Sequence, residues 1–106
     1  MSPTDVKQTI AISSTDTLQK YVGTTATDIG SARIKAVQAQ SDAADGSVKI
    51  YDATDATTAS TLVFEAKWGT ADNSDFTFYL PQNGIRCKTA MHAVLANCDF
   101  LVVTFD

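Results

Sequence analysis

Few side chains in this 106-residue sequence have the chemistry for catalysis or metal binding, and each has a plainer structural use. Cys87 and Cys98 are the only thiols and His92 the only imidazole. A thiol nucleophile needs a base within hydrogen-bond reach, and no spacing places His92 against either cysteine. His92 is flanked by Met91 and Ala93, with no Asp, Glu or Cys at ligand spacing, so a metal or base role would need partners from other strands. Two loops carry carboxylates three apart, Asp42 with Asp45 and Asp52 with Asp55. They are a weak echo of calcium loops, which need alternating oxygens and a bidentate Glu, whereas the single glutamate, Glu65, falls in an expected strand. Asp as a turn former is the simpler reading. Trp68, Phe76, Phe78 and Tyr79 have the ring faces for a sugar-stacking platform, but the first three alternate onto faces expected to point inward. No GxSxG, glycine-rich phosphate loop or paired glutamates occur. The expectation is no catalytic, cofactor-binding or metal-binding residue, and no enzyme.

Composition narrows the partners. The formal charge is -4 and the eight Lys and Arg are scattered, so no basic field exists for nucleic acid. No run approaches the length of a membrane span, and Ile10-Ala11-Ile12 is too short for the apolar centre of a secretion signal. A non-membrane protein made in a reducing cytoplasm is expected, with both thiols free. As one extended stretch, the chain between Cys87 and Cys98 would hold them roughly 30 Å apart, against about 5.5 Å between the Cα atoms of a disulfide.

The positioning elements read as strands. Of 12 carboxylates 11 are Asp, a residue of turns and caps. Period-two alternation recurs from residue 32 onward with turn signals every 8–12 residues. Expected strands cover residues 33–40, with a bulge or two buried faces because Ile34 and Ala36 oppose Val37; 48–51; 61–68; 76–80; 85–96, with a corner at Lys88-Thr89-Ala90; and 100–105, covered on both sides. Residues 89–97 also fit a helical spacing. The loop at 52–60 is long and built of small residues, and Asn83-Gly84 supplies left-handed dihedrals for a turn. The expected interior is Ile34, Val48, Ile50, Leu62, Phe64, Phe76, Phe78, Leu80, Leu95, Val102 and Val103, and full burial of Phe78 would make Phe78→Ala cost about 3–5 kcal/mol. Residues 6–12 and 18–22 are short candidate strands, and 23–31, without period, reads as a loop or arm. The outcome is an all-β chain: a small antiparallel β-sandwich, jelly-roll or immunoglobulin-like, over residues 32–106, preceded by an extended Thr/Ser-rich arm or edge strands at 1–31. That arm is too polar for a core of its own, so its order is expected to come from docking onto another surface, and deleting residues 1–22 is expected to leave a folded sandwich that no longer binds its partner surface.

Several stretches carry a likeness: Arg33-Ile34-Lys35-Ala36-Val37, Gly46-Ser47-Val48-Lys49-Ile50-Tyr51-Asp52, Phe78-Tyr79-Leu80-Pro81-Gln82-Asn83-Gly84-Ile85-Arg86 and the closing Val102-Val103-Thr104-Phe105. In this order they resemble the small virion structural proteins of tailed marine bacteriophages, cyanophages especially. The resemblance spans residues 32–106, while the Thr-rich start and Cys87 lie outside the shared pattern. It implies a virion protein, assembled in the host bacterial cytoplasm, that decorates or cements the capsid exterior as a homotrimer on the major capsid protein or another virion lattice. A neck or tail component is the runner-up. A small carbohydrate-binding module is the competing class, and it would need an exposed aromatic beside Asp or Asn acceptors near residues 52–60 or 70–75.

Overall fold

The computed structural model describes residues 7–42, 45–54, 58–69, 75–80 and 84–106. Eleven strands occur among them: β1 (Lys7–Gln8), β2 (Asp16–Thr17), β3 (Gln19–Val22), β4 (Thr25–Asp28), β5 (Ala32–Ser41), β6 (Ser47–Tyr51), β7 (Leu62–Lys67), β8 (Asp75–Tyr79), β9 (Ile85–Cys87), β10 (His92–Ala96) and β11 (Cys98–Phe105). The one helical piece among the described residues is a 3-10 turn, Ala59–Thr61, in the expected 52–60 loop. The helical spacing of residues 89–97 is not realised, because Met91 and Ala93 spend their apolar side chains on the core of a sheet.

Two antiparallel sheets form the body, ordered β1-β11-β5-β8 with β9 also on β5, and β2-β10-β6-β7. Strands close in sequence occupy matching places in the two sheets: β1 and β2, β11 and β10, β5 and β6, β8 and β7. This is the double-Greek-key order of a jelly roll. The β3–β4 hairpin is inserted between the second and the fifth strand. Both apolar inner faces meet in one core that includes Ile34, Val37, Ala39, Leu101 and Val103 from the first sheet and Val48, Ile50, Met91 and Ala93 near or in the second.

The expected irregularity in residues 33–40 is a β-bulge. Ile34 opposes Phe105 and Ala36 opposes Thr104, so Lys35 is the extra residue. The bulge switches the buried face, which puts both Ile34 and Val37 at zero exposure. Residues 85–96 are two strands in different sheets, with the corner at Lys88 and Thr89 as expected. Gly84 has φ +73°, and a β-carbon there would collide with the carbonyl oxygen of Ile34. Asp45 and Asn97 also take left-handed φ, in the turns before β6 and between β10 and β11.

Several expectations need correction. Ile34, Val48, Ile50, Phe64 and Val103 are buried, whereas Leu62 is exposed and Phe76, Leu80, Leu95 and Val102 are half-buried. Phe78 is 47% exposed. Phe76 and Phe78 do share the inner face, since they pair with the buried Ala39 and Val37, but among the described residues β8 is an edge strand with no strand on its outer side. β11 is central in its sheet, yet the alternate face bearing Phe100, Val102 and Thr104 is only half-buried, since no third layer covers it among the described residues. The missed core residues include small or sulfur-bearing ones, among them Ala32, Ala39, Cys87, Met91, Ala93 and Cys98, two in the polar N-terminal stretch, Leu18 and Ile29, and the larger Val37, Tyr51, Leu101 and Phe105, the last two on the face of β11 opposite Val102.

That stretch is no isolated arm. β1 lines β11, Thr9 and Val103 exchange a backbone bond (2.9 Å) and a side-chain bond through the Thr9 hydroxyl (3.0 Å), and Ile12 bridges Leu101. The period-free 23–31 segment contains β4, which pairs with β3 residue by residue. Leu18 and Ile29 flank this hairpin and are fully buried in the common core. The surface onto which this segment docks is the sandwich itself.

Candidate functional site

The residues with chemical potential are scattered. Cys87 pairs with Ala32 at one end of β5 and Cys98 with Ser41 at the other. The 10-residue strand between these positions spans ~30 Å, so the two thiols are free and far beyond disulfide reach. Burial, with the nearby Asp52 charge adding to it, pushes the Cys87 thiol up to about 12. Burial also raises the Cys98 thiol, whose Sγ donates to the Ser47 carbonyl at 3.2 Å. Neither is poised as a thiolate nucleophile.

His92 stands on β10 between Thr17 and Tyr51, and its Nδ1 lies 3.1 Å from the Thr17 hydroxyl, which itself donates to the Thr54 carbonyl. This cluster fastens the start of the 52–60 loop to β2. Among the described residues no three His, Cys, Asp or Glu side chains gather as metal ligands.

The two Asp pairs separate into different roles. Asp52 receives backbone N–H groups from Lys88 (3.0 Å), Thr89 (2.8 Å) and Ala90 (3.4 Å), so it caps the corner between β9 and β10. Burial pushes its carboxyl upward, but the three N–H donors and the Lys88 charge outweigh this and hold it below the usual carboxylate value. Asp42 donates its own N–H to Asn97 at the base of the turn, and Asp45 supplies a left-handed corner. Asp55 lies outside the described residues, as do the turn residues 70–74, 81–83 and 43–44.

What the fold does assemble is the aromatic set. Where β7 and β8 face each other as edges of opposite sheets, Phe64 meets Phe78 at 5.8 Å and Trp68 meets Phe76 edge-on at 5.1 Å. These rings line an open cleft of about 390 Å³ with Ala66, Glu65, Lys67 and Asp75 at its margin. Glu65 lies 3.8 Å from Lys49 and 3.7 Å from Lys67. Tyr79, the fourth ring of the expected platform, faces the other way and is 75% exposed. The cleft lies between two strands that, among the described residues, have no flanking strand to close over their large rings. Alternation in sequence identified the shared face of these residues, but their being at an edge depends on sheet order.

A second groove, between residues 7–11 and residues 20–22 of the hairpin, exposes Tyr21 and Val22 beside Lys7 and Lys20. Comparison with known protein families, with characterised proteins and with solved structures finds no match to this chain.

Proposed function

We propose that this chain is a non-enzymatic structural protein of a phage particle, one that decorates or cements the capsid exterior by binding the major capsid protein or a neighbouring virion lattice. The observation that carries this reading is the open side of the sandwich. There, among the described residues, no strand pairs with the outer edges of β7 and β8, which flank a half-exposed aromatic cleft, a surface that protein contact would cover. The likeness of residues 32–106 to virion proteins supports it, as does a jelly-roll order that capsid domains often use, an analogy of fold alone. A trimer is what that likeness implies for its assembly. Copy number in purified particles, measured by mass spectrometry or electron microscopy, is the test: hundreds of copies support decoration, about a dozen point to a neck or tail component, and absence overturns the reading.

One specific feature favours a second reading. Trp68 and Phe78 beside Asp75 and Glu65 are the ring-plus-acceptor set that a small carbohydrate-binding module needs. Binding on a glycan array that is lost in Trp68→Ala, together with absence from particles, would select it.

A further inference from the structure

The geometry points to the β7 edge as a twofold self-association surface, whose occupant is the β7 strand of a second copy of this chain. The inference rests on the reading of the open side as a protein-contact surface, and at the β7 edge it puts a second copy, in a twofold dimer, in place of the trimer that the likeness implies.

The backbone sets the first constraint. Val48 opposes Ala66, and the Trp68 N–H donates to the Gly46 carbonyl at 2.9 Å, so Phe64, Ala66 and Trp68 direct their backbone polar groups toward β6. By the alternation of an antiparallel ladder, Glu65 and Lys67 direct theirs outward. Among the described residues no strand takes them up. A second antiparallel strand must therefore pair at the odd-numbered positions.

Charge then selects the register. One symmetric register sets Glu65 against Glu65 of the second copy, another sets Lys67 against Lys67, and both juxtapose like charges. The register between them sets Glu65 against Lys67 of the second copy and Lys67 against its Glu65. Shifts further along run into the bulge at Val63, which lies between the Ile50–Phe64 and Tyr51–Leu62 pairs, or into the turn at Gly69, whose carbonyl already accepts from Asp45. In the selected register each Glu65–Lys67 pairing exchanges two backbone hydrogen bonds.

The side chains agree with this choice. Glu65 and Lys67 share the outer face, where Lys49 already neighbours Glu65, so the contact extends a Lys-Glu row into Lys-Glu-Lys across the joined sheet. On the inner face, Phe64 falls opposite Trp68 of the second copy at a non-hydrogen-bonded position, where cross-strand side chains approach most closely. Those are two of the rings that line the open cleft. One operation thus pairs the free edge, matches the charges and covers the aromatics, as an isologous contact requires.

Native mass spectrometry and light scattering on the full chain test it. The expected species is a dimer at micromolar concentration. Lys67→Glu and Glu65→Lys each set like charges across the axis and weaken association at least roughly tenfold, while the double exchange E65K/K67E restores it. Glu65→Pro removes one outward N–H without touching the bonds to β6 and also gives a monomer. Unchanged far-UV circular dichroism and melting temperature identify variants that keep the fold. A monomeric or trimeric wild type, dimerisation that survives the single reversals, or failure of the double exchange to rescue would overturn the inference. Particle incorporation is a separate readout: a monomeric wild type still found in particles removes only the twofold contact, whereas a dimer absent from particles removes only the virion role.

Discussion

The two sides of this sandwich meet the same problem and solve it differently. On the β1/β2 side a polar segment folds back over the gap between the sheets. Its Thr9 N–H donates to Val103 of β11 and its Leu18 N–H to Met91 beside β10, tying the segment to both sheets, while its Ile10 N–H donates to Gln19 and its Ile29 N–H to Leu18 within the segment. Leu18 and Ile29 are thereby fully buried. On the β7/β8 side no such segment exists among the described residues, and rings fill the gap without closing it. A segment with only two large apolar plugs seals an edge better than four aromatics do, because sealing depends on backbone that spans both sheets, not on hydrophobic content.

The sharpest break of that comparison is Leu18→Ala. It should cost about 2–5 kcal/mol in urea unfolding, since it leaves a cavity in the common core. Phe78→Ala should cost only about 1–2 kcal/mol, below the figure for full burial, because roughly half of its ring never leaves water. If Phe78→Ala proves the more damaging, the β7/β8 side is not the open one. By the same logic, deleting residues 1–22 should unfold the protein.

Asp52 offers a middle-sized effect. Asp52→Ala leaves the three N–H groups at the β9–β10 corner without their acceptor, and a loss of about 1–2 kcal/mol is expected, moderated by the partial exposure of the site. Because its carboxyl is held below the usual value, the stability it contributes is present above the unfolded carboxyl pKa near ~4 and lost as pH falls through the lower folded value. The wild-type advantage over Asp52→Ala should therefore shrink on acidification. An advantage that grows at low pH would contradict the cap.

The smallest effect concerns the thiols, one at each end of β5. In native protein at pH 8 both should resist alkylation, Cys87 most strongly because its thiol is raised to about 12. In denaturant, without reductant, both should react in full. A mass showing an unreacted pair in denaturant would mean a disulfide and a different strand register.

How much of this was legible beforehand follows from the range of the forces involved. Alternation is local, so residues 33–40 and 48–51, the corner at Lys88 and the shared face of Phe64, Trp68, Phe76 and Phe78 could all be read directly. The bulge at Lys35 announced itself as a phase break between Ile34 and Val37. Hairpin β3–β4 stayed hidden because Thr25–Asp28 carries no apolar period, and Leu18 and Ile29 are single apolar residues set in polar chain. Their burial is a long-range consequence of the sheets beneath them.

The sequence by itself determined an all-β chain and the period of most of its strands, since these depend on side-chain alternation and backbone preference over a few residues; the separation of the two thiols was settled by their pairing at opposite ends of β5. Tertiary structure alone decided which strands are edges. The period of β8 matches that of a central strand, and only the order β1-β11-β5-β8 leaves Phe78 half in water. The candidate contact surface was decided there too: Glu65 and Lys67 are ordinary outward residues of an alternating strand until sheet order leaves their backbone without a neighbouring strand among the described residues, because edge status is a property of the sheet rather than of any one strand.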